Sequence, residues 1–360
     1  MLENSTKKRR KNMFKKIALF SVMLMFIVLI IGVSMTSGVV AKTNNFALIL
    51  ATGGLGDQSF NDLTYEGMVS AKKELGIKFD YVEPKAISNY EIYQSEMAAS
   101  GDYELIITVG FDQADALTNV AKDYPNQKFA IIDMVVDLPN VASYVSEEQE
   151  GSFLVGALAG LLEKEGDNQL LNNKQVTGVV GGMDIPLIRK FIAGYMAGVK
   201  YVNPEMKVLY DYVGNWSDPT TAKEIALSMH RIGADIIYHA AGGSGLGVFQ
   251  AAQQEKFMAI GVNSNQNYIA PDYIVASMLK RVDYATYSAV QDVLNDSFRA
   301  GVHSLGIKQG GIGYTTEKSN INVSNTIIKK VEELKGKIER GELVVPVNIE
   351  DVEGFLVDNK

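Results

Sequence analysis

The sequence predicts an α/β protein built as two doubly wound parallel-sheet lobes joined by a hinge, and three observations carry that prediction. Short apolar runs of strand length alternate with longer helical patterns. The alternation runs from about residue 46 to 147, stops at a polar stretch, and resumes from about residue 175 to 295. Each half has a glycine-rich turn directly after a strand, at the carboxyl edge where open α/β sheets bind ligands.

The first half opens with the buried-strand pattern Phe46–Ala51. Gly53, Gly54 and Gly56 break it, and a helix restarts after Asp57 or Ser59 to run over Asn61–Leu75. Strand Ile77–Val82, helix Tyr90–Ala99, strand Leu105–Val109, helix Gln113–Asp123 and strands Phe129–Ile132 and Val141–Val145 follow. Phe153–Leu162, rich in Gly and Ala, reads as a tightly packed helix, and Lys164–Lys174 reads as a boundary loop. The second half repeats the build: strand Val176–Val180, helix Pro186–Tyr201, strand Val208–Tyr212, and a helix capped by Asp218 with Pro219 at its first position. Strand Ile236–His239 leads into the glycine turn Ala240–Gly247, and Phe257–Val262 is the last strand expected. A final long helix, Val282–Phe298, and the tail then pass back across both lobes, with an exposed helix at Ile327–Ile338. The division is 1–41 for a signal peptide or N-terminal membrane anchor, 42–147 and 148–280 for the two lobes, and 281–360 for the segments crossing back and the tail.

The first turn resembles a phosphate loop only superficially. Gly54-x-Gly56-x-x-Ser59 lacks the third glycine and carries Asp57, whose carboxylate repels phosphate. The turn therefore suits a neutral, hydrogen-bonding ligand; beside this stands the reading that Asp57 or Ser59 simply caps the helix. Asp133 ends the run FAIID at a strand end, where it would meet a ligand or stabilise a loop. Phe60 and Phe191, each at the front of its lobe, suit stacking better than catalysis. Gly242-Gly243-Ser244-Gly245-Leu246 fails the nucleophile-elbow pattern because Leu246 replaces the last glycine. Asp57, Asp112 and Asp133 could in principle pair as hydrolytic acids.

Composition narrows the rest. The chain has 360 residues, 47% of them hydrophobic, and no cysteine, which excludes disulfides, thiol catalysis and a lipid-modified cysteine. His230, His239 and His303 lack metal-ligand spacing; no metal or cofactor is expected. Lys7, Lys8, Arg9, Arg10, Lys11, Lys15 and Lys16 against Glu3 give the first sixteen residues a net +6 within a chain of net −8, which leaves −14 on the remainder. So acidic a body has no electrostatic footprint for nucleic acid. The uncharged run Ile17–Met35 follows the basic cluster directly and is long enough to span a bilayer, with Val39-Val40-Ala41 suited to a signal peptidase. The basic end stays inside and the acidic body is exported.

GGLGDQSFND, FAIIDMVVDLPNVASY, GVVGGMDIPLIRKFIAGYMAGVK, AAGGSGLGVFQA, IGVNSNQ and SMLKRVD, in that order, make the chain similar to the basic membrane protein family, the PnrA-like nucleoside-binding proteins of ABC importers, from about Phe46 to Pro346. The resemblance implies a type I periplasmic-binding-protein fold, a non-enzymatic role in nucleoside capture with purines preferred, and permease and ATPase subunits as partners. It places Asp57 and Asn61 on the base edge, Phe60 and Phe191 on the two ring faces, Asp133 on ribose hydroxyls, Gly243 against the sugar and Lys280 near the ribose. The family's Gly-Val-Asp-Ser-Asp-Gln here has Asn263 and Asn265 for the acids, with Asn263 kept among the ligand residues. The missing lipid-attachment cysteine favours a peptide anchor. Two other functions fit the same features: a membrane-tethered sensor signalling to a partner, and a nucleoside hydrolase.

The protein is expected to fractionate with the membrane, on its outer face. N-terminal sequencing separates a retained anchor, which begins at Met1 or Met13, from cleavage near Ala41. An intact chain in the cytosol would contradict both.

Overall fold

The computed structural model describes residues 44–172 and 174–359. The basic cluster, the run Ile17–Met35 and the Ala41 boundary lie outside them. Among the described residues no helix is long and apolar enough to cross a membrane.

The chain runs β1 (Asn45–Ile49), α1 (Phe60–Leu75), β2 (Lys78–Val82), α2 (Tyr90–Ser100), β3 (Leu105–Val109), α3 (Ala114–Asp123), β4 (Phe129–Ile132) and β5 (Val141–Ser146). Next come α4 (Glu148–Glu165), β6 (Val176–Gly181), α5 (Pro186–Val202), β7 (Lys207–Tyr212), α6 (Pro219–Ile232), β8 (Ile236–Ala240), α7 (Leu246–Glu255) and β9 (Met258–Asn263). It finishes with β10 (Ile274–Lys280), α8 (Val282–Leu294), β11 (Gly301–Leu305), β12 (Ile312–Thr315), α9 (Asn325–Glu339) and α10 (Val352–Asp358).

These strands form two six-stranded sheets. The first has the order β11-β5-β4-β3-β1-β2 and is parallel throughout. The second has the order β12-β10-β9-β8-β6-β7 and is parallel except at β12, which pairs antiparallel with β10. Central strands such as β3 and β8 are buried at every position, as expected of strands covered on both faces, whereas the edge strands β2 and β7 are half exposed.

Three expectations need correction. The second series does not end at Val262, because 274–280 is a further, almost wholly buried strand, β10. A short 3-10 turn, Asn267–Ile269, replaces the helix that would have signalled it. The edge strands β11 and β12 are short and partly exposed, so they carry little apolar pattern. Second, the polar stretch Lys164–Lys174 does not separate the lobes: α4 packs on α5 within the core of the second lobe, and the chain crosses between the lobes just before Glu148. Third, α8 ends at Leu294, and its Val282, Ala285 and Ala289 pack with Leu63 and Met68 of α1 in the first lobe.

The chain crosses between lobes three times: from β5 to α4, from β10 to α8, and from β11 to β12. Backbone hydrogen bonds join the crossings, Glu147 N to Leu305 O at 3.1 Å and Arg281 N to Gly311 O at 2.8 Å. These bonds tie the three crossings side by side into one connection between the lobes.

Helices α4 and α5 approach more closely than side chains allow. A Cβ on Gly198 would lie 2.0 Å from the Phe153 carbonyl oxygen, and one on Gly194 2.2 Å from that of Gln149. Gly198→Ala is expected to cost about 1–3 kcal/mol, the usual penalty of overpacking, read as a fall in the midpoint of urea unfolding at unchanged slope. An unchanged midpoint would show that the helices have room to separate.

Candidate ligand-binding cleft

All eight residues expected at the site line one cavity between the lobes. From the first lobe come Asp57, on the turn between β1 and α1, Phe60 and Asn61, the first residues of α1, and Asp133, directly after β4. The second lobe supplies Phe191 on α5, Gly243 after β8, and Asn263 and Lys280, the last residues of β9 and β10. The strands of both sheets thus present their carboxyl ends to the same space, which measures about 730 Å³ counted out to its mouth.

The first turn is held by its own acid. One Asp57 oxygen accepts the backbone N–H groups of Ser59 (2.9 Å) and Asp62 (3.2 Å), and the other accepts those of Asn61 (2.9 Å) and the Asn61 side chain (3.3 Å). A carboxylate has about four acceptor sites, and all four are committed to the helix N-terminus. The geometry therefore supports capping by Asp57 over direct reading of a ligand edge. Ser59 makes no side-chain cap. Burial raises Asp57 above its usual carboxylate range, and the three backbone donors oppose that rise. Asn61 accepts the Ala51 N–H at 3.0 Å and gives one amide hydrogen to Asp57. Gly53 has φ +111°, and a Cβ there would sit 3.2 Å from Ser217 Oγ of the other lobe.

A buried cation lies at the centre. Lys280 Nζ is 2.6 Å from Asp133 Oδ2 and 2.9 Å from Glu148 Oε1, and Lys190 reaches the second Glu148 oxygen at 3.4 Å. The same ammonium lies 5.4 Å from the Phe60 ring centroid and 5.6 Å from that of Phe191, so the rings flank it from opposite lobes within cation–π range. Burial alone would lower Lys280, but Asp133 and Glu148 outweigh it and hold the ammonium above its ordinary pKa. Desolvation raises Asp133, opposed by Lys280. Asp133 adopts φ 75°, and its Oδ1 is buried with no hydrogen-bond partner among the described residues. A buried acceptor left in that condition is expensive unless something else satisfies it.

Three features escaped sequence reasoning. Glu148 was read as no more than the start of the second lobe, and its partnership with Lys280 is a long-range contact that no local pattern signals. Phe111 and Trp216 meet edge-to-face across the cleft with centroids 6.5 Å apart, and both line the cavity; their position after a strand and before a capped helix was the available clue. Asn263, with φ 68°, donates from its amide to Ser59 Oγ at 2.7 Å and so bridges the lobes, using the N–H that an aspartate would lack. Asp112 also lines the cavity, but it accepts from the Tyr90 hydroxyl at 3.0 Å.

Two hinged α/β lobes whose strand ends enclose a polar and aromatic cavity define a protein that captures a small ligand by closure. Residues 45–348 match the family described as ABC transporter substrate-binding protein PnrA-like, and the chain belongs to that family, whose members bind solutes for transport and are not enzymes. An uncharacterised lipoprotein of Pyrococcus horikoshii is 36% identical over 286 residues, 76% of this chain and 69% of that one. The ABC transporter nucleoside-binding protein BmpA of Lactococcus lactis is 29% identical over 84% of this chain and 90% of its own. The crystal structure of an ABC solute-binding protein from Aeropyrum pernix superposes with a TM-score of 0.77 at 31% identity, covering 88% of this chain and 99% of that one.

Lys280→Met leaves Asp133 buried without its cation and leaves Glu148 only the longer contact to Lys190. Loss of one partner from such a group costs about 3–5 kcal/mol, and denaturant unfolding near pH 7 is expected to show it. The orphaned Asp133 would take up a proton on folding, so the deficit shrinks as pH falls from 8 to 5. A deficit constant with pH would mean that Asp133 had found another partner.

Proposed function

We propose that the protein is an extracytoplasmic, membrane-tethered binding protein that captures an uncharged nucleoside, purine in preference to pyrimidine, and hands it to the permease and ATPase subunits of an ABC importer. The observation that carries this reading is one cavity holding two aromatic rings from opposite lobes together with an unpartnered buried carboxylate oxygen, Asp133 Oδ1. Phe60 and Phe191 sandwich the base, which stacking stabilises by about 1–3 kcal/mol per ring. Asn61 donates to the base edge, on a turn that Asp57 keeps in shape. The ribose hydroxyls donate to Asp133 Oδ1 and to the free oxygen of Asn263, near Lys280, and Gly243 brings the backbone close to the sugar.

The charge balance supports a neutral ligand. Asp57, Asp112 and Asp133 line the cavity with Lys280 as the one lysine or arginine among its lining residues, and that ammonium is already committed to Asp133 and Glu148. A phosphate would enter a net negative space with its balancing cation spent. The name of the Lactococcus relative and the lipoprotein names of the Pyrococcus relatives support nucleoside capture and membrane attachment respectively.

In calorimetric titration against nucleosides, bases, nucleotides and sugars, nucleosides are expected to bind at least about tenfold tighter than their 5′-monophosphates, a gap of about 1.4 kcal/mol. Phe60→Ala and Asp133→Ala should each cost more than about 1 kcal/mol. Equal affinity for nucleoside and nucleotide, or tight hexose binding with no nucleoside response, would refute the assignment. Release of free base from bound nucleoside would instead establish a hydrolase.

A further inference from the structure

Outside the cavity a second set of bonds joins the lobes. The turn ahead of α1 presents the Gln58 carbonyl to the loop after β9. Gln266 Nε2 donates to that oxygen at 3.0 Å and Ser264 Oγ at 3.2 Å, which fills both lone pairs. Neither Gln266 nor Ser264 lines the cavity.

Gln266 is fully buried, and its other contacts leave it one orientation. Its Oε1 accepts the Val262 N–H at 2.8 Å and the ring N–H of His239 at 3.0 Å, and its own backbone N–H donates to Ser277 Oγ at 3.0 Å. Turning the amide over would set its N–H₂ against the Val262 N–H and its oxygen against the Gln58 carbonyl. Desolvation pushes His239 down to about 4, so the ring is neutral and its single N–H is the one given to Gln266. The Gln266 amide is therefore aimed at the first lobe by β8 and β9, ready to meet Gln58 wherever the lobes come together. Gln58 itself stands at φ 49°, between Asp57 and the helix that carries Phe60 and Asn61.

We propose that Gln266 is a positioning residue for binding: it grips the Gln58 carbonyl on closure, fixes the turn that leads into Phe60 and Asn61, and sets how long a ligand is held without touching it. This goes beyond the nucleoside reading, and only its kinetic test rests on that reading.

Gln266→Glu preserves the acceptors for His239 and Val262 and replaces the donor to Gln58 with an oxygen that repels it. Ser264→Ala removes the second bond at a half-buried position, so it decides the matter if the buried variant fails to fold. By small-angle scattering without ligand, both variants are expected to have a larger radius of gyration than the wild type. Scattering curves that superpose on the wild type overturn the proposal. With radiolabelled adenosine as probe, dissociation should accelerate about tenfold in Gln266→Glu and about threefold in Ser264→Ala, with association within about twofold of wild type. Dissociation at the wild-type rate in both also overturns it. If the wild type does not bind adenosine or the other nucleosides at all, the nucleoside assignment falls while scattering still decides the latch.

Discussion

An ammonium group buried where the chain passes from one lobe to the other is the constraint on which the rest of the molecule depends. Lys280 is the last residue of β10 and Glu148 the first of α4, so both stand beside hinge crossings. Asp133 alone comes from the first lobe. An isolated buried cation is costly, and a carboxylate on each side is what makes its burial tolerable. Bringing the lobes together therefore completes the environment of the lysine in the same movement that closes the cavity, and the chemistry of the site cannot be separated from the mechanics of the hinge. Loss of either acid would be felt as both.

The sheets supply the precision this arrangement needs. Asp133, Asn263 and Lys280 all sit at the carboxyl ends of buried strands, and two of them, Asp133 and Asn263, take left-handed backbone conformations that turn their side chains into the cleft. Such conformations cost free energy, and the packed strand on one side and a cross-lobe bond on the other hold them in place. The second lobe is stiffened by the glycine-mediated approach of α4 and α5, so Phe191 is carried on a helix with little freedom to shift.

Much of this was legible in the sequence because its causes are local. Alternating apolar runs give parallel strands, Asp218 caps its helix with a 3.0 Å bond to the Thr221 N–H, and the glycines after Ala51 and Ala240 mark the turns at the cleft. The eight site residues could be placed by motif because each motif ends a strand or opens a helix. What the pattern did not disclose was long-range or irregular. β10 follows β9 without an intervening helix, so the alternation that revealed its neighbours gave no signal. Asp57 looked equally like a cap and a ligand group, and only the four bonds around it separate the two. Glu148 and the Asn263 bridge depend on residues about 130 and 200 positions away, a separation at which sequence spacing carries no information.

The aromatic pair at the cleft has a further consequence. Trp216 is the only tryptophan in the chain. Its indole packs against Gly182, where a Cβ would come within 2.2 Å of the ring, and meets Phe111 of the opposite lobe edge-to-face. The fluorophore is thus anchored to its own lobe while one of its ring contacts belongs to the other. Parting the lobes would break the Phe111 contact and change the surroundings of the indole, so its emission offers an optical gauge of opening, read without any label.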